Sequence, residues 1–160
     1  MVALLIPRIS TARWSMKRPE ELRDEFVRGW LEKADEDLAV ADHLLAAKTP
    51  FFSAVRFHAQ QAAEKYLKAL LAHYQIEFPK THDLDRLVEL ASSAQATLPS
   101  DLHRVATLNA YGVAVRYPGD FPEVHEEEAT TALEVAKEVQ DIVLRWIREP
   151  PPGNDRSTTE

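Results

Sequence analysis

The chain is predicted to be all-α: an antiparallel, up-and-down helical bundle of four long helices plus one short helix. Three observations predict this. Ala, Leu, Glu, Lys and Arg dominate the composition, and these residues lose least on entering a helix. Apolar residues return at three- and four-residue intervals over long runs. Prolines and capping residues then divide those runs into segments of helical length. Four glycines and little Val-Ile-Thr alternation argue against a sheet. With 160 residues, 45% of them hydrophobic and 28% charged, the chain has material for one domain with its own core.

The first helix is expected from Glu20 to Ala47, with Pro19 at its first turn and Glu20, Glu21 and Asp24 facing the positive end of its dipole. Phe26, Trp30, Leu31, Ala34, Leu38, Ala41 and Leu45 form its apolar stripe, opposite a solvated side carrying Glu32, Lys33, Asp35 and Glu36. Lys48-Thr49-Pro50 ends it. The second helix runs from Phe52 to Gln75, with Glu64 and Lys68 as an i,i+4 ion pair. Its alanines let a neighbouring helix approach closely. After a turn at 78–81, Thr81 or Asp83 caps a short third helix, Leu84 to Ser92. Ser100 caps a fourth, which turns Leu102, Val105, Leu108 and Val115 inward and ends near Pro118. The last helix spans Val124 to Arg148, with Glu126, Glu127 and Glu128 in its first turn. The bundle proper is therefore 19–149, between a flexible N-terminal extension, 1–18, and a disordered polar tail, 150–160. The only methionines are Met1 and Met16, and MKRPEELRDEF makes an ordinary translational start, so synthesis is expected to begin at Met16.

The absence of cysteine excludes disulfides, thiolate nucleophiles and cysteine metal sites, and a cytoplasmic location is the simplest expectation. A net charge of −7 argues against nucleic-acid binding through the overall field. It leaves room for a local basic pocket between subunits. No apolar run approaches the roughly 20 residues of a membrane span. His43 and His58 lack the partners of a convincing metal site, and no glycine-rich phosphate loop is present. Neither a metal, a cofactor nor a membrane partner is expected.

Four blocks carry a resemblance: ADHLL at 41–45, FHAQQAAEKYLKALL at 57–71, PKTHDLDRLVELA at 79–91 and NAYGVAVRYP at 109–118. In this order and spacing, from about Leu31 to Ile147, the chain resembles the HEPN domain (higher eukaryotes and prokaryotes nucleotide-binding). The resemblance implies a helical bundle that pairs as a homodimer. Stand-alone prokaryotic members are often encoded beside a separate minimal nucleotidyltransferase, as toxin–antitoxin pairs. Many members of the wider superfamily are metal-independent ribonucleases with an Arg-x4-6-His motif, and two copies build one composite site.

That chemistry explains the residue types. Cleavage of RNA by its own 2′-hydroxyl needs one proton removed and another delivered, which histidine can do near neutral pH. The charge that develops on phosphorus needs a fixed, forked cation, which arginine supplies. Here Arg116 matches the arginine and the next histidine is His125, so both are the candidate catalytic residues. Eight residues separate them, however, and Pro118, Gly119 and Pro122 interrupt the interval. The RxxxxHxY form is absent, and Asp120, Glu123 and Glu126 to Glu128 crowd the region with negative charge.

Candidate nucleotide- or RNA-binding residues are Asn109, Tyr117, His58, Gln61 and Lys65. Each has a structural reading beside the functional one. Arg116 also suits a helix-end cation and His125 a surface helix start. Asn109 suits a buried hydrogen-bonding role, Tyr117 packing in a dimer interface, and the helix-two residues a satisfied polar seam. The leading expectation is a homodimeric partner of a nucleotidyltransferase in a toxin–antitoxin-type system, associated with RNA or a nucleotide. The alternatives are a metal-independent endoribonuclease using Arg116 and His125, and a nucleotide-binding protein without catalysis.

Overall fold

The computed structural model describes residues 17–94, 100–111 and 123–149. They form α1 (Pro19–Ala46), α2 (Phe52–His73), α3 (Leu84–Ala94), a 3-10 helix η1 (Ser100–Tyr111) and α4 (Glu126–Arg148), with no strand among the described residues. Helix directions follow from the side chains that meet. Asp35 reaches Tyr66, while Asp37 reaches both His58 and Lys65, so α1 and α2 are antiparallel. Arg56 meets Glu128 and Tyr74 meets Trp146, so α2 and α4 run parallel, as alternate members of an up-and-down order do. Lys137 pairs with Asp42 and Gln140 with Asp35, which sets α1 against α4 in opposite directions.

α2 is the central helix. Its buried residues run from Val55 to Ala72 and include Ala59, Ala62, Ala63 and Ala69. Across from them α4 buries Ala129, Ala132 and Ala136. Small side chains on both helices let their backbones approach, while Tyr66, Leu67, Leu70 and Leu71 fill the space around them. Burying each of these large side chains contributes about 1.5–3 kcal/mol.

The helix ends are built without glycine. α1 and α2 both stop on residues of positive φ, Lys48 at 53° and Gln75 at 56°. Beyond Gln75, the N–H of Ile76 turns back 2.9 Å to the carbonyl of Leu71, closing the end of α2. α3 starts as expected from Asp83, whose Oδ1 accepts the N–H of Asp85 at 3.0 Å.

Two expectations need correction. The fourth element is 3-10 over its described length, and the expected remainder towards Pro118, with Val115, lies outside the described residues. Among its described side chains the buried ones, Leu102, Val105 and Leu108, stand three apart. That is the period of a 3-10 helix, in which i and i+3 eclipse. Phe26, placed on the inner stripe of the first helix, is instead 55% exposed, and Val27 takes the inward position.

Candidate functional site

Three polar clusters decorate the bundle, and each draws on α2. The first lies where the start of α2, η1 and the start of α4 converge. Here a cleft of about 280 Å³ is lined by Arg56, Thr107, Leu108, Glu127, Glu128 and Thr131. The Arg56 side chain is only 7% exposed, and its Nη1 donates to Glu128 Oε1 at 3.1 Å. Glu128 also accepts the backbone N–H of His125 at 3.0 Å, as the third residue of a helix does when it closes back on the cap. That N–H, followed by the charges of Arg56 and His125, holds the Glu128 carboxyl below its usual range. His125 itself is exposed and forms the N-cap of α4.

At this end, then, the buried Arg56 meets the Glu128 carboxylate while Glu126 and Glu127 stand exposed beside it. Thr131 Oγ1 donates back to the Glu127 carbonyl at 2.9 Å, and Thr107 Oγ1 to the Arg104 carbonyl at 2.6 Å. The hydroxyl oxygens keep lone pairs for a ligand. Among the described residues the exposed charge beside His125, from Glu123 and Glu126 to Glu128, is negative, and it opposes approach by a phosphate backbone.

The second cluster joins α1 to α2. His58 Nδ1 lies 2.8 Å from Asp37 Oδ1, and Lys65 pairs with the other oxygen of the same carboxylate. Gln61 donates to Gln60 Oε1 at 2.8 Å. Asp37 thus brings together two of the three helix-two candidates, His58 and Lys65, and leaves Gln61 bonded to its neighbour. Close by, the buried Tyr66 hydroxyl donates to Asp35 and accepts from Gln140 Nε2 at 2.7 Å. Burial, then Asp35, pushes its pKa up.

The third cluster is interior. Glu64 and Lys68 form the expected i,i+4 pair at 2.8 Å, and their side chains are only 3% and 8% exposed. Glu64 also takes Gln60 Nε2 at 3.3 Å and has His82 Nδ1 3.1 Å from both its oxygens. Lys68 Nζ sits 5.2 Å from the centre of the Trp30 ring, a cation–π contact. His82 thereby fastens the turn before α3 to α2. Asn109 fastens η1 to the same place: its Oδ1 accepts the Leu84 N–H at 2.8 Å, and its Nδ2 donates to Asp83 at 3.1 Å and Asp85 at 2.7 Å.

Arg116 and Tyr117 lie outside the described residues. Asn109 and His125 stand in different clusters. Sequence reasoning missed Arg56, although Arg56, Gln60, Ala63 and Leu67 recur on one face of α2, where a cation among core residues asks for a buried partner. Asp37 and Glu128 were missed because their partners are 21 and 72 residues away. Among the described residues no three histidines or carboxylates gather where they would hold a metal ion. No helix among them is long and apolar enough to cross a membrane.

Two solved structures are similar to this chain in fold. An archaeal HEPN homologue, ST0689, is 25% identical, with a TM-score of 0.58 over 82% of this chain and 99% of its own. TT1696 from Thermus thermophilus is 31% identical, with a TM-score of 0.61 over 74% of this chain and 96% of its own. No curated protein matches the chain. The model of the HEPN domain matches residues 27–146, a span that takes in all three clusters, and the chain belongs to the HEPN family.

Proposed function

We propose that this chain is the HEPN member of a two-component, toxin–antitoxin-type pair, acting as a homodimer with a separately encoded minimal nucleotidyltransferase. The observation that carries the reading is the setting of His125. Its backbone N–H is bonded to Glu128, Glu128 is paired with Arg56, and Glu126 and Glu127 stand exposed beside it. A histidine so placed serves the start of α4 and meets phosphate through a negative field, which favours association with protein over cleavage of RNA. Family membership supports the nature of the partner.

The test is a search for a minimal nucleotidyltransferase gene beside this one, then co-expression of the two products and light scattering. A stable complex holding two copies of this chain is expected. A solitary monomer, with or without that protein present, would overturn the reading.

A second reading, a metal-independent endoribonuclease using Arg116 and His125, draws on the cleft. Arg56, Thr107 and Thr131 supply a cation and two hydroxyls at the same end of the bundle as His125. RNA cleavage in the presence of chelator, lost in both Arg116→Ala and His125→Ala, would establish it.

A further inference from the structure

Twelve residues make η1 long for a 3-10 helix. Such runs rarely exceed three or four residues, because their hydrogen bonds are poorly aligned and their side chains eclipse. The apolar residues of η1 do not demand this winding. At the 3-10 turn of about 120° per residue, Leu102, Val105 and Leu108 form one line. At the α turn of about 100°, the same three still share a face about 120° wide, broad enough for a helix on a core.

Length separates the two windings. A 3-10 helix rises about 2.0 Å per residue and an α-helix about 1.5 Å, so from Leu102 to Asn109 the first is longer by about 3.5 Å. Asn109 holds the far end of that stretch. Its Oδ1 accepts the Leu84 N–H at 2.8 Å, and its Nδ2 donates to Asp83 at 3.1 Å and to Asp85 at 2.7 Å. All three partners stand at the start of α3. Nearer the beginning of η1, Arg104 Nη1 reaches Glu138 Oε1 on α4 at 2.6 Å. The element is thus tied to α4 and to α3 at points five residues apart.

Between those ties lies a wall of the cleft. Thr107 and Leu108 line it together with Arg56, Glu128 and Thr131. With Leu102 in place, rewinding to α turns Leu108 by about 120° and draws it in by about 3 Å. A cleft of about 280 Å³ changes shape under such a movement of its wall.

We propose that η1 is a two-state strut. Asn109 holds it in the stretched 3-10 winding, and release of Asn109 lets it shorten to an α-helix and reshape the cleft. The start of α3 and the cleft are thereby coupled in both directions. A group that takes Asp83 and Asp85 from Asn109 acts on the cleft, and a ligand against Thr107 and Leu108 acts on α3. The inference stands apart from the reading above and requires neither a nucleotidyltransferase nor RNA.

Nuclear magnetic resonance of the full chain tests it. Close contacts between an Hα and the N–H two residues on mark the 3-10 winding, and contacts four residues on mark the α winding. The wild type should show the first kind from Leu102 to Asn109. In Asn109→Ala the second kind should replace them, the ratio of α to 3-10 form rising at least about fivefold. The Thr131 and Ala132 amides, across the cleft, should shift with it. Asp85→Ala removes one tie and keeps the Leu84 bond, so it disturbs folding less. It should move the same resonances part of the way in the same direction. Four-residue contacts already present in the wild type would overturn the proposal. So would an Asn109→Ala chain that keeps the two-residue contacts, or that loses both kinds. Rewinding in either variant without a shift at Thr131 and Ala132 also overturns it.

Discussion

Glu64 and Glu128 are both carboxylates paired with a cation carried on α2, yet the two ends of that helix use them differently. Glu64 is enclosed, taking Lys68, Gln60 and the ring of His82. Glu128 reaches inward to Arg56 while 43% of its side chain faces solvent beside the cleft. The enclosed carboxylate is committed to structure, because each of its bonds ties a turn or a helix in place. The half-open one leaves surface and charge for a partner. The polar character of the FHAQQAAEKYLKALL block is therefore mainly architectural, and the proposed association is placed at the end of the bundle around Arg56 and His125.

Substitution at the enclosed end should give the largest effect. Glu64→Ala strands the Lys68 ammonium in the interior and should cost about 3–5 kcal/mol in denaturant unfolding. Glu64→Gln, which still accepts hydrogen bonds, should lose less. Glu128→Ala should lose less than either, since water reaches the half-open pair. Equal losses at Glu64 and Glu128 would erase the distinction between the two ends.

Next in size is Asn109→Ala, which leaves the Leu84 N–H without its acceptor and frees η1 from the start of α3. A loss of about 1–3 kcal/mol is expected, with faster amide exchange at Leu84. Unchanged exchange there would show that η1 is held by its apolar residues alone.

The pH dependence divides the two ends again. Burial, then Arg23, lowers the proton affinity of His73, at the far end of α2 from the cleft. The unfolded chain thus takes a proton that the folded chain resists, and stability falls as pH drops below the ordinary histidine value of 6.5. Glu128 acts in a separate window. Its folded pKa is depressed, so its contribution is full above the usual 4.5 and is lost as pH falls through the folded value. Urea midpoints between pH 5 and 8 should slope in the wild type and flatten in His73→Gln. A slope unchanged by that substitution would place the titrating group elsewhere.

The smallest effect expected is a gain. Gln75 sits at φ 56°, where a side chain is strained and glycine is not. Gln75→Gly should raise stability by about 0.5–1 kcal/mol, read from the same denaturation curves.

Much of this fold was legible in the sequence, for local reasons. Pro19, Asp83 and the glutamates at 126–128 are short-range signals, and the helix starts lie within two residues of where they place them. The ends of α1 and α2 also lie within two residues of the expected ones, although Lys48 and Gln75 there do the work usually left to glycine. Periodicity found the apolar residues of α1, but not that Phe26 turns outward, because it counts intervals without knowing where the neighbouring helices lie. Of the site, His58, Gln61 and Lys65 on α2 were visible, whereas Arg56 and the partners on other helices were not. Nothing local to His58 or Lys65 announces that Asp37 holds both, and nothing local to Arg56 announces Glu128.

The central claim is that the acidic start of α4 serves association and does not cleave RNA. The most direct test incubates the purified chain with total RNA in chelator, beside Arg116→Ala and His125→Ala. No cleavage above the buffer control is expected at any dose. Cleavage by the wild type that disappears in both variants would contradict the claim.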